Sequence, residues 1–154
     1  MAGTVAHFAV RTPTPTLSID SVNFSEASAG AAEASFAVTL APVSDRPVSV
    51  DFRTADATAN DGSDYLGRSG TLTFAAGESH KTIAIPVVAE TAPENDEFFS
   101  VLLGTPVHAV IGAGVGVGTI ENDDGPVVLV GTRRKSLLGS SLAGAPVSTT
   151  HVVA

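Results

Sequence analysis

The chain has 154 residues, 44% of them apolar and only 16% charged, with no Cys. That length suits one ordinary domain with a real core, and the missing Cys excludes disulfides, thiolate zinc sites and a cysteine nucleophile. Net charge is −8, but all sixteen acids fall between Asp20 and Asp124, where only Arg46, Arg53, Arg68 and Lys81 oppose them; this −12 body repels phosphate backbones, which argues against nucleic acid as a partner and for divalent cations.

The opening "MAGTVAHFAVRTPTPT" has neither the basic start nor the apolar run of a cleavable signal peptide, and no run of eighteen apolar residues predicts membrane insertion. Residues 1–16 read as an N-terminal arm in which "TVAHFAV" is a possible extra strand, closed off by Pro13 and Pro15, which favour extended backbone. From Leu17 the pattern alternates with a period of two, through Phe36-Val38-Leu40, Val48-Val50-Phe52, Leu72-Phe74, Ile83-Ile85-Val87, Phe99-Val101-Leu103 and Val115-Val117-Ile120. Such alternation marks strands with one buried face and one wet face. Turn-forming stretches separate them, among them "SAGAAE", "APVSDRP", "NDGSDYLGRSG", "AAGES" and "ETAPEN". Helical periodicity is absent, so the fold class expected is all-β: six or seven strands in an antiparallel sandwich over residues 17–125. Residues 126–154 contain no acid, carry the basic triplet Arg133-Arg134-Lys135, and read as a tail with a possible strand at Val127–Val130.

The acids follow the strand ends. Glu26 ends the first expected strand; Asp56, Asp61 and Asp64 lie in one turn; Glu90, Glu94, Asp96 and Glu97 follow Val88; Asp123 and Asp124 follow the last strand. Alternate loops of a sandwich gather at one end, so most of these carboxylates should share a pole. Close carboxylates cost about 1 to 4 kcal/mol per pair, a cost that an oxygen-loving cation offsets. Ca²⁺ accepts six to eight oxygens in forgiving geometry, whereas Mg²⁺ demands a strict octahedron. Zinc is not favoured, because His7, His80, His108 and His151 are scattered without ligand spacing. An acidic loop is by default solvated surface. Here three features argue otherwise: convergence of separate loops, the Asn and Gly that accompany the acids, and the scarcity of charge elsewhere.

Catalysis finds no support. There is no G-x-S-x-G, no phosphate-cradling G-x-x-x-x-G-K, and "GAGVGVG" at 112–118 lacks the helix that a dinucleotide fingerprint needs. Gly62 and Gly77 read as turn glycines with unusual backbone angles, and Tyr65, the only tyrosine, as a packing residue beside the acidic loop.

Three spaced blocks resemble one family. "VDFRTADATANDGSDYLGRSGTLTFAAGESHKTIAIPVV" at Val50–Val88, "PENDEFFSVLL" and "VGTIENDD" are similar, in order, to the motifs of the Calx-beta domain, a type found in sodium/calcium exchangers, integrin beta-4 and bacterial surface proteins. The resemblance implies a seven-stranded immunoglobulin-like sandwich with calcium held at one end. Its ligands, carried over by position, are Glu26, Asp64, Glu90, Glu94, Glu97, Asp123 and Asp124, with Asn122 at a position where the family often has Asp and the carbonyl of Ala92 as a backbone ligand. The family's acidic run after the strand is reduced here to Ala89, Glu90 and Thr91, so fewer ions or weaker binding should follow. Asp61 is equally readable as turn chemistry, and Asp96 should face solvent.

Together these features lead us to expect a calcium-binding structural or adhesive module, secreted or displayed on a cell surface, whose partners are other protein domains or copies of itself. Exchange of terminal strands could build a larger assembly. The alternatives are a calcium-sensing regulatory module and a calcium-independent structural or decoration subunit.

Overall fold

The computed structural model describes residue 3 and residues 11–26 and 32–123. The possible strands expected in the N-terminal arm and at Val127–Val130 lie outside these residues, as does Asp124. Within them the chain is all-β, with nine strands: β1 (Thr16–Ile19), β2 (Val22–Ser25), β3 (Ala32–Ala41), β4 (Val48–Asp56), β5 (Ser69–Phe74), β6 (His80–Val87), β7 (Glu97–Val107), β8 (Val110–Ala113) and β9 (Val115–Glu121). A four-stranded sheet in the order β6-β3-β1-β8 packs on a five-stranded sheet in the order β2-β9-β7-β4-β5.

The expected count of seven antiparallel strands needs correction. The first strand breaks at Asp20-Ser21, so β1 belongs to one sheet and β2 to the other; the last breaks likewise at Gly114 into β8 and β9. The two pairs formed by these halves, β1–β8 and β2–β9, are parallel, and the other pairs are antiparallel. The break in the first strand is held locally: the Val117 N–H donates to Ser21 Oγ at 3.0 Å, and Asp20 N–H to the Ala37 carbonyl at 3.0 Å. The two broken strands together thereby finish one side of both sheets, with β8 as the edge of the first and β2 as the edge of the second.

Alternation puts Phe36, Val38, Val48, Val50, Ile85, Phe99 and Val101 fully inside, between the sheets. The Phe36 and Phe99 rings meet edge to face with centroids 5.8 Å apart. Across from them β9 carries Gly118, where a Cβ would come within 2.8 Å of both rings, so only glycine lets the aromatic pair close over that strand. The "GAGVGVG" stretch is thus strand on both sides of Gly114, where it passes from one sheet to the other, rather than one smooth strand.

The same end of the sandwich receives the ends of β2, β4, β6 and β9 and the starts of β3, β5 and β7. The opposite end carries the 42–47, 75–79 and 108–109 turns, where Gly77 has φ +87° and the ion pair Lys81–Glu78 spans 3.0 Å.

Candidate metal centre

Tyr65 organises the acidic end. Although it belongs to the β4–β5 loop, it is 1% exposed and stacks on Phe99 with centroids 4.2 Å apart and planes 14° from parallel. Burying a ring of this size contributes about 2–3 kcal/mol, enough to pin a loop. Its hydroxyl donates to Asp56 Oδ1, which also accepts from the Asp61 N–H at 3.0 Å. Burial, and the charge of Asp56 beside it, push the Tyr65 phenol far above its ordinary value.

With Tyr65 fixed, its neighbours are fixed too. The Val88 N–H donates to the Asp64 carbonyl at 3.0 Å and the Leu66 N–H to the Pro86 carbonyl at 2.8 Å, stitching the loop to the end of β6. The Asp64 carboxylate is oriented by Asn60, whose backbone N–H reaches Oδ2 at 2.6 Å. Gly62, at φ +93°, makes the turn between them. Asp61 turns away and accepts from the Gly67 N–H at 2.6 Å, so of its two readings turn chemistry is the one its contacts support.

The β6–β7 loop brings the next acids. Glu26, at the end of β2, is 5% exposed, and its Oε1 accepts the Glu90 N–H at 3.2 Å across 64 residues of sequence. Asp64, Glu90 and Glu94 each offer a carboxylate oxygen, and these oxygens lie within 4.8 Å of one another. Glu97 opens β7 beside them: desolvation, then the charge of Asp64, push its carboxyl up to about 7. Glu90 is also raised, first by desolvation and then by Glu94, Glu26 and Asp64. Asp64, Glu90, Glu94 and Glu97 form no ion pair with a Lys or Arg among the described residues. Five of the nine expected ligands are therefore gathered, and the field between them favours either protons or a cation.

The other four are placed less closely. Asn122 stands beside the cluster, its side-chain amide donating to the Glu94 carbonyl at 2.6 Å and its backbone N–H to Asp96 Oδ1 at 3.1 Å. Asp96 is exposed, as expected, but it also ties the end of β9 to the loop. Asp123 and Ala92 are exposed at the same pole, and Asp124 lies outside the described residues. Asn60 and Asp56 were missed as supports. A carboxylate three to five residues from an Asn, across a Gly, signals a turn but not which oxygen it presents. The donor set is oxygen only, half-buried and anionic, which fits a hard cation such as Ca²⁺.

An immunoglobulin-like sandwich with acidic loops converged at one pole is the class this geometry defines. The chain belongs to the Calx-beta domain family, whose model matches residues 14–120. Sodium/calcium exchanger 1 of Canis lupus familiaris is 48% identical over 56 residues, covering 36% of this chain and 6% of the exchanger. Sodium/calcium exchanger 2 of Rattus norvegicus is 44% identical over 54 residues, covering 35% and 6%. The match thus takes in only a small part of these curated relatives. Among solved structures, calcium binding domain CBD12 of CALX1.1 superposes with a TM-score of 0.64 at 27% identity, over 70% of this chain and 46% of that one. The apo-form Calx CBD1 domain gives a TM-score of 0.65 at 24% identity, over 73% of this chain and 100% of that one, a likeness of fold.

Proposed function

We propose that this chain is a non-catalytic Ca²⁺-binding β-sandwich module, with Glu26, Asp64, Glu90, Glu94 and Glu97 as the principal ligands and Asn122, Asp123, Asp124 and the Ala92 carbonyl completing the shell. One observation carries the reading: carboxylate oxygens of Asp64, Glu90 and Glu94 lie within 4.8 Å of one another. Calcium in that position would replace mutual repulsion with attraction and fix the β4–β5 and β6–β7 loops. Membership of the Calx-beta family supports it. Isothermal titration tests it directly: Ca²⁺ binds with a measurable heat that Asp64→Asn and Glu90→Gln together abolish, and a titration indistinguishable from buffer would refute it.

Rigid loops suit a structural or adhesive role outside the cell, in which bound ions orient neighbouring domains or copies of the chain. Among the described residues no helix is long and apolar enough to cross a membrane. Assembly by exchange of residues 4–10 or 126–131 belongs to this reading, and undiminished light scattering after deleting residues 1–13 or 126–154 would count against it. A calcium-sensing role is the second reading, favoured by one observation: the relatives match over only 6% of their length, as a module within a longer protein would.

A further inference from the structure

We propose that the free edge of β5 is a self-association site, at which a second copy of this chain pairs its own β5 antiparallel about a two-fold axis through Thr71. An unpaired strand edge is a template for pairing, and proteins ordinarily blunt it with charge, proline, shortness or a covering loop. Among the described residues, three of the four sheet edges are blunted. The edge strand β6 carries Lys81 and Pro86, and Tyr65 bridges to it at Val87. Strands β2 and β8 have only four residues each. Strand β5, Ser-Gly-Thr-Leu-Thr-Phe, has six residues with neither a charge nor a proline, and it ends the five-stranded sheet with no further strand beyond it among the described residues.

The register follows from the ladder already present. The Thr54 N–H donates to the Arg68 carbonyl at 2.9 Å, and β4 pairs Phe52 with Gly70, Val50 with Leu72 and Val48 with Phe74. Alternation of antiparallel pairs makes these the hydrogen-bonded positions, so the peptide groups of Ser69, Thr71 and Thr73 point outward from the sheet. With Thr71 on the axis, Thr71 faces Thr71 and Ser69 faces Thr73 of the second copy. Every outward N–H and C=O on both edges then finds a partner.

Side chains agree with that register. Hydroxyls meet on the outer face, and on the inner face Leu72 of each copy lies opposite Gly70 of the other. Gly70 lets the Phe52 ring pack close over the strand, 3.1 Å from where a Cβ would be, so Leu72 of the second copy would lie against that ring. Phe52 and Leu72 are only partly buried at the margin of the core, and the added strand would cover both. Charge permits the approach, because the chain is uncharged from Ser69 to Gly77. The acidic pole does not enter the contact.

A six-residue ladder buries less than the roughly 1,200 Å² of a standard interface, so the dimer should be weak and reversible. Sedimentation equilibrium on the full chain at rising concentration is expected to show a monomer–dimer equilibrium. Thr73→Pro removes only an outward-facing donor, a change edge strands tolerate. It should weaken association at least tenfold without lowering the melting temperature. Since the chain has no cysteine, Thr71→Cys should oxidise to a covalent dimer, whereas Asn23→Cys on β2 should not. A chain that stays monomeric at several hundred micromolar overturns the proposal, and so does equal cross-linking by both cysteine variants. So does a dimer untouched by Thr73→Pro but lost on deletion of residues 1–13 or 126–154, an outcome that would assign assembly to the terminal segments.

Discussion

The backbone N–H of Glu90 donates to Glu26 Oε1 at 3.2 Å, joining the end of the second strand to the loop that follows the sixth. Glu26 is 5% exposed, so this contact draws a buried carboxylate to the inner side of the acidic cluster. Glu26→Gln keeps an oxygen that can accept the same bond while removing a charge. The variant should therefore fold normally, be at least as stable as the parent in chelator, and bind Ca²⁺ on the order of tenfold more weakly, a loss of about 1.4 kcal/mol. Parallel melts and calcium titrations of the two proteins check both halves of this expectation.

The pH dependence should differ between metal-free and calcium-loaded protein. Glu97 is raised from 4.5 to about 7, by desolvation and then by Asp64, and Glu90 is raised as well. The metal-free fold therefore holds more protons than the unfolded chain across that range, so the stability these groups contribute is fully present below the unfolded value and is lost as pH climbs through the folded one. Asp51, held low by Thr105 and then Thr71, and Glu78, held low by the Ala75 N–H and then Lys81, act in the opposite sense and lose their contribution as pH falls. Melting in chelator should thus weaken between about pH 5 and 7.5, and millimolar Ca²⁺ should remove that decline by displacing the protons. A rising melting temperature over the same interval in chelator would contradict the clustering of the acids.

Tyr65 separates packing from polar support. Tyr65→Phe keeps the stack on Phe99 and deletes the hydroxyl that donates to Asp56, which should cost about 1 kcal/mol. Tyr65→Ala removes the ring and should cost about 3–5 kcal/mol, with calcium affinity falling because Asp64 loses its anchor. Urea unfolding with and without calcium measures both.

Gly62 and Gly77 offer a matched pair at opposite poles, with φ of +93° and +87°. Alanine at either position is strained by about 1–2 kcal/mol. Gly77→Ala should lower stability while leaving the calcium titration unchanged; Gly62→Ala should alter both, since it sits between Asn60 and Asp64.

How much of this was legible in the sequence depends on the kind of information each feature needs. Alternation at Phe36, Val50, Ile85 and Phe99 marks the long strands because their buried faces are continuous. The breaks at Asp20-Ser21 and Gly114 were hidden, since a strand that changes sheets keeps an extended backbone and its apolar residues merely change which sheet they join. The acidic pole was readable from where carboxylates stand relative to strand ends. Which acid points inward was not. Asp56, Asp61 and Asp64 share one loop, and only the burial of Tyr65 turns Asp64 towards Glu90 while Asp61 caps Gly67. Ala92 and Asn122 rested on resemblance alone, which gives a position in a motif but no coordinates for a carbonyl or an amide.

The central claim is that the gathered carboxylates are made tolerable by a doubly charged ion, and it is tested most directly by thermal melting in chelator, in millimolar Mg²⁺ and in millimolar Ca²⁺ at pH 7.5. A ligand that binds only the folded state raises its stability by about 2.7 kcal/mol at a hundred times its dissociation constant. The account predicts a calcium melting temperature several degrees above both others, with magnesium close to chelator. Identical curves in all three would contradict it.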